Sequence, residues 1–495
     1  MNLETALAEI TKTLAAHNEW LLIHESGKSF ALQTKEIEFN LERGRIILGF
    51  LDEKGFQVWR VASYQSESEK LRLEVTRNFG RDSERIRFVP RASAAELGAA
   101  VELARLEKAN QIAALIVAEN PLSKLVRVAL NETNGRFAEI VFQDAKKKRI
   151  AALADVSAVV TPENVLTTAI LWLAKLQART KNPVNEIWIL AEKKPYKNLR
   201  KLHALLRENW KSKICVKEIS RQGAKAQSEQ IISKRNLNIA DLWGEKPPKI
   251  QSASDAKLSR AAEEIVRLAP EKIDFVLTRH GETLRFFGLP FARARITGET
   301  EKVWFGTEPA KRILNERTRE EFFELLETLE TYRRFDSANK RHEFFRRAPE
   351  AWLESILRRN IKPLDGNLIL SPIHNQFRAA GDTIDLLALR KDGRLVIIEL
   401  KVAPDREMIF QAADYWRKIE LQRRGGNLKA AEIFGDLEIA DKPTIVYLAA
   451  PTLTFHRDFN FLSKTVSPEI EIYRFDLNEN WRENLKVMKV SRVKN

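Results

Sequence analysis

At 495 residues the chain exceeds what one hydrophobic core sustains, so about three domains are expected. An apolar fraction of 44% is that of a globular protein, and the single cysteine, Cys215, excludes an internal disulfide or a thiolate zinc cluster. The net charge of +15 favours a polyanionic partner, and no apolar run approaches the roughly 18 residues of a membrane span, so a cytoplasmic protein off the membrane is expected. Residues 1–14 read as an amphipathic helix interrupted by acids rather than as a secretory leader.

In chain order, residues 1–92 carry short alternating runs (FALQTKEIEF, RIILGF, FQVWRVASY) that predict an antiparallel meander. Helical periodicity follows from a Ser93 cap to about residue 119. Across 93–219 strands then alternate with helices (FAEIVFQ, ENVLTTAILWLAKLQAR, NEIWILAE, YKNLRKLHALLRENW, KICVKEI), which predicts βαβ units on a partly parallel sheet. No glycine-rich phosphate loop follows any of these strands, so a dinucleotide or P-loop site is not expected. Residues 220–256 are polar and read as a linker around one short helix. Residues 257–347 predict a helix, a strand pair (IDFVLTRH and LPFARARI) and the long helix ERTREEFFELLETLETYRRF. No internal repeat is found. The fold class expected is multidomain α/β (α+β), an N-terminal β meander followed by α/β units and then a C-terminal domain over 348–495.

Positive charge is concentrated in two places. Between residues 200 and 250 twelve Lys and Arg stand against five Asp and Glu. The stretch 331–347, TYRRFDSANKRHEFFRR, interleaves Arg333, Arg334, Lys340, Arg341, Arg346 and Arg347 with aromatic residues. Phosphates take the charge and bases stack on rings, so these six, with Tyr415, are the candidates for nucleic-acid binding.

Residues 349–450 carry the chemistry. They predict, in order, helix PEAWLESILRR, strands LILSPIHNQF, TIDLLAL and LVIIELK, helix REMIFQAADYWRKIE and strand TIVYLAA. Asp392-Gly393 between two apolar runs is a strong hairpin signal. Asp385, Glu399 and Lys401 interrupt those runs. Side chains alternate along a strand, so Glu399 and Lys401 share a face, and folding the hairpin brings Asp385 opposite Glu399 or one position away. A buried carboxylate without compensation is costly, so it coordinates a metal or pairs with a cation. Oxygen ligands with no His or Cys beside them suit Mg2+ or Mn2+, which polarise phosphoryl oxygens, while Lys401 orients water or stabilises charge. Gln411 and Tyr415, spaced i, i+4, share a helix face that could look back over the site.

This stretch resembles the PD-(D/E)xK nuclease superfamily. IDLLALRKDGRLVIIELK is similar to its Asp…Glu-x-Lys signature, and Gln411-Ala-Ala-Asp-Tyr415 to the Gln-x-x-x-Tyr motif of the RecB-like branch. WLESILRR, the Gly381-to-Asp385 segment and IELK together look most like NucS-type endonucleases, with Gly381 one residue further from Asp385 than in that pattern and Asp382 as a rival. The resemblance spans 348–450. It implies an αβββαβ restriction-endonuclease-like core and a divalent-metal-dependent nuclease acting on DNA ahead of RNA. It makes Asp385 and Glu399 metal ligands with the Leu400 carbonyl as a third, Lys401 the catalytic lysine, Gln411 a site-orienting residue and Glu354 a helix acid near the metal. A homodimer is compatible with it. The alternative is a non-catalytic nucleic-acid or protein-binding module on a degenerate nuclease fold.

A second motif, FVLTRHGET (275–283), is similar to the Arg-His-Gly-Glu strand end of histidine phosphatases. The segment after it reads as strands rather than the long helix that chemistry needs, so His280 is expected to be a turn residue.

Overall fold

A computed structural model describes residues 3–25, 29–52, 55–67, 70–77, 82–91, 94–179, 181–221, 229–247, 258–278, 281–297, 300–307, 311–371 and 385–494. Ser93, His280, Gly381 and Asp382 lie outside the described residues. The chain forms two units, Met1–His203 with Asn209–Asn236, and Ala204–Glu208 with Leu237–Asn495. It is a mixed α+β protein, with four sheets among the described residues. No helix among the described residues is long and apolar enough to cross a membrane.

The first unit holds two sheets. Seven antiparallel strands between Glu19 and Pro90 form one, and helix Leu3–Leu14 covers it by setting Ala6, Ile10 and Leu14, four residues apart, on Trp20, Leu48 and Phe88. The 26-residue helix Ala94–Glu119 serves both sheets. Ala104 packs on Leu21 and Ile23 of the first, and Ala109, Ile112 and Ile116 on Ile140 and Phe142 of the second. The second sheet has a parallel centre, Arg149–Asp155, Ile187–Glu192 and Ile214–Arg221, joined through helices Pro162–Gln177 and Lys193–Ala204. Strand Glu229–Ser233 pairs antiparallel with Ile214–Arg221 at its edge. The expected linker over 220–256 therefore begins inside a sheet, because Ile231 and Ile232 supply a short β-compatible run that the surrounding polar residues mask.

The second unit opens with a meander of five antiparallel strands, Ile273–Thr278, Gly281–Phe286, Leu289–Thr297, Thr300–Phe305 and Arg312–Ile313. The expected strand pair is thus part of a larger sheet. Thr278 pairs with Gly281, so Gly281 and Glu282 of that motif lie on a strand rather than opening a helix. Residues 331–347 are not one continuous helix. Helix Arg319–Tyr332 ends, and a turn segment leads to the four-residue helix Glu343–Arg346.

The C-terminal layer is built from α1 (Pro349–Arg359), β1 (Leu368–Leu370), β2 (Leu386–Arg390), β3 (Leu395–Leu400), α2 (Met408–Arg424), β4 (Ile445–Pro451), β5 (Glu471–Leu477) and β6 (Val487–Arg492). This is the predicted order of helix, three strands, helix and strand, extended by two strands. The sheet runs β1 to β6 in sequence, with β3, β4 and β5 parallel and the other neighbours antiparallel. Leu386, Ala388, Val396, Ile398 and Leu400 share one core with Trp352, Leu353 and Leu357 of α1. The alternate residues Leu387, Leu389, Leu395, Ile397 and Glu399 therefore face the other way. The β2–β3 turn needs Gly393, at φ 79°, because a Cβ there would stand 3.1 Å from the Glu438 carbonyl oxygen.

Helix α1 is pinned by the meander. A Cβ on Gly288 would lie 1.9 Å from the Ala351 carbonyl oxygen, so only glycine lets that hairpin meet the helix backbone. Phe287 stacks on Trp352 with ring centres 5.6 Å apart.

Candidate active site

Strands β2 and β3 pair Leu386 with Ile398 and Leu387 with Ile397. One further step of that register sets Asp385 directly opposite Glu399, which removes the one-position ambiguity in the sequence. Asp385 is partly buried, and its Oδ2 accepts the Leu400 N–H at 2.8 Å. Glu399 is only 2% exposed. Lys401 Nζ lies 3.0 Å from Glu399 Oε1 and 3.5 Å from Asp405 Oδ2. Glu399 Oε2 is buried with no hydrogen-bond partner among the described residues.

The charges do not balance. Burial first, then the nearby charge of Glu354, pushes Asp385 up to about 7. Burial, then Asp385, pushes Glu399 well above the usual carboxylate range. For Lys401, burial works against the charged form, but Glu399 and Glu350 outweigh it and hold the ammonium above its ordinary value. Lys401 stays a cation, and among the described residues it is the cation paired with these two apposed carboxylates.

Among the described residues no three His, Cys, Asp or Glu converge as a ready-made metal cage. The donor set that fits a hard cation is smaller: Asp385, the orphaned Glu399 Oε2 and, from the chain itself, the carbonyl of the fully buried Leu400. Such a set leaves coordination positions for water and substrate. Gln411, one turn into α2, has a buried amide oxygen with no hydrogen-bond partner among the described residues. Tyr415 is partly buried, with the Lys418 ammonium 5.6 Å from its ring centre.

Glu354 requires a correction. Its carboxylate is buried between Arg285, at 3.2 Å, and Arg358, and Arg285 also pairs with Asp274. Two guanidiniums pair with it, so it anchors α1, while its charge still bears on Asp385. One turn earlier, Glu350 bears electrostatically on Asp385, Glu399 and Lys401 alike. Sequence reasoning passed over Glu350. The i, i+4 spacing gives both acids one helix face, and nothing local separates them.

No family model matches the chain, and no curated protein matches it. Among solved structures it is similar to one described as EndoMS in apo form, at 12% identity, covering 44% of this chain and 95% of that one, with a TM-score of 0.17.

The basic candidates divide sharply. Arg333 is fully buried, and its guanidinium donates to the carbonyls of Phe286, Phe287, Phe344, Arg347 and Ala348. It staples three chain segments and has no donor left for phosphate, so its expected role in nucleic-acid binding is withdrawn. Arg334 is exposed and paired with Asp336. Arg347 lines a separate cavity with Arg293, Trp304 and Lys311. Lys340, Arg341 and Arg346 are exposed and line one cavity together. The aromatic residues predicted to interleave with them are mostly internal: Phe344 and Phe345 are buried and Tyr332 stacks on His342 at 3.7 Å.

Proposed function

We propose that the C-terminal unit is a divalent-metal-dependent nuclease of the PD-(D/E)xK type, hydrolysing phosphodiester bonds in DNA. The observation that carries this reading is the buried, unpartnered Oε2 of Glu399, set beside Asp385 and a lysine held cationic. Two apposed carboxylates that share one lysine leave room for a further cation, which an oxygen free of hydrogen bonds can ligate.

Asp385, Glu399 and the Leu400 carbonyl would hold Mg2+ or Mn2+. When bound, such a cation polarises a phosphoryl oxygen and lowers the pKa of a coordinated water. The chain's own residues supply the rest. Lys401, anchored by Glu399 and Asp405, orients the attacking water and stabilises charge building on the phosphate. Gln411 aims its amide to fix water or substrate, and Glu350 adds negative potential that strengthens cation binding. Asp385 accepts the Leu400 N–H, which keeps its carboxylate aligned with the strand end.

The test is incubation of plasmid and single-stranded DNA with the full chain in Mg2+ or Mn2+, with and without chelator. Chelator-sensitive cleavage that disappears in Asp385→Ala and Lys401→Ala supports the reading. Cleavage that survives both substitutions overturns the site. Asp385-dependent metal binding without any cleavage would favour a binding module on the same fold.

A further inference from the structure

Beside the acidic cluster lies an open cavity of about 400 Å³ lined by Lys340, Arg341, Phe345, Arg346, Pro349, Val402, Trp481 and Arg482. Two of these residues fix its location: Val402 directly follows Lys401, and Pro349 directly precedes Glu350. Consecutive Cα atoms stand about 3.8 Å apart, and these two chain steps are what tie the cavity to the proposed catalytic centre. Its lining holds four cations and no acid.

Arg482 is the unusual member. Its guanidinium sits 4.4 Å from the Trp481 ring centre, 5.0 Å from Phe345 and 5.1 Å from Trp352. Its Nε is buried with no hydrogen-bond partner among the described residues. Burial pulls it below its ordinary pKa, and no carboxylate lifts it back. The buried cation Arg333 lies near enough to be lowered by it, which adds positive potential. Lys340, Arg341 and Arg346 carry no ion pair among the described residues. A partly desolvated guanidinium with no carboxylate partner among the described residues suits a phosphate oxygen, since charge-assisted bonds strengthen where water is excluded. The aromatic rings already carry Arg482 on their faces, so the cavity offers charge rather than a surface for base stacking.

We infer that this cavity is a phosphate subsite, in which Arg482, with Lys340, Arg341 and Arg346, holds a phosphate of the nucleic acid next to the bond cleaved at Asp385 and Glu399. The inference rests on the nuclease reading for its substrate, but binding can be measured apart from cleavage. The ligand is a phosphodiester within the strand or a phosphate at its end.

The experiment is titration of the full chain, in chelator, against a 3′-labelled single-stranded oligonucleotide with and without a 5′-phosphate, over a range of salt. Arg482→Gln should weaken binding about tenfold, the effect of one lost charge-assisted hydrogen bond, and lower the salt slope by about one. Because Arg482 packs on rings, the exposed pair Lys340→Gln with Arg346→Gln is measured beside it and should give a similar loss. A terminal subsite makes the 5′-phosphate tighten binding in the native chain only, whereas a backbone subsite shows no dependence on it. Unchanged affinity and salt slope in all these variants would overturn the subsite, even where cleavage depends on Asp385. Loss of binding in them with no Asp385-dependent cleavage would leave the subsite standing and remove the nuclease.

Discussion

Two buried ionic clusters lie within the C-terminal unit, and they are solved in opposite ways. Around α1, Asp274 and Glu354 face Arg285 and Arg358, acid matched by base. On the β2–β3 hairpin, two apposed acids, Asp385 and Glu399, share one base, Lys401, among the described residues. The helix α2 repeats the first solution: Asp414 is held by Arg417 and Lys418, and Glu420 by Arg423, Arg424 and Thr444. Burial opposes ionisation in every case, yet the cationic partners outweigh it for Asp414 and Glu420, which end below their ordinary values. Asp385 and Glu399 end above theirs. Clusters matched acid to base hold elements together, and the undercompensated one is where the proposed cation would bind.

The largest expected effect probes the matched side. Removing one partner of a buried pair strands the other charge, so Arg285→Leu should cost about 3–5 kcal/mol in denaturant unfolding, and a cost near zero would mean the cluster is not structural. On the undercompensated side, Lys401→Ala should lower the cleavage rate by about 10²–10³ in single-turnover cleavage, with unfolding measured alongside to account for the carboxylate it strands. Glu350→Gln should weaken Mn2+ binding about tenfold in calorimetry, whereas Glu354→Gln should show first as a loss of stability, because its carboxylate anchors two arginines. Asp385→Asn should raise the stability of the chelated chain by about 1 kcal/mol at pH 8 while abolishing cleavage; a loss of stability would contradict the electrostatic frustration.

The smallest effect separates the clusters by pH. Asp385 has a folded pKa raised from 3.8 to about 7, so the folded state binds the extra proton in that interval. Its contribution to the chelated chain therefore falls as pH rises from about 4 to 7. Asp414 and Glu420 are depressed, so their contributions are present above the unfolded values and are lost as pH falls through the folded ones. Unfolding followed by pH in chelator should show the Asp385→Asn variant losing the first slope and keeping the second.

Much of the central hairpin was legible beforehand. Asp392-Gly393 marked the turn, and the two-residue period of the flanking runs put Glu399 and Lys401 on one face. The alternating strand and helix runs likewise announced the partly parallel sheet of the first unit. The short strand at Glu229–Ser233 was hidden in a polar stretch, where five residues give too little periodicity to read. The basic run 331–347 was misleading for another reason. Composition counts charges, but Arg333 spends its guanidinium on five backbone carbonyls that reach it only through the fold.

By itself the sequence determined the trio Asp385, Glu399 and Lys401, because strand alternation and one tight turn are local and act within about twenty residues. Tertiary structure alone showed Glu354 paired with two arginines, Arg333 spent on backbone carbonyls and Arg482 set against aromatic rings. Those placements depend on who meets whom: Arg285 reaches Glu354 across 69 positions, and Arg482 meets Phe345 and Trp352 from the far end of the sheet. A charge pair is set by distance in space, which no linear pattern records.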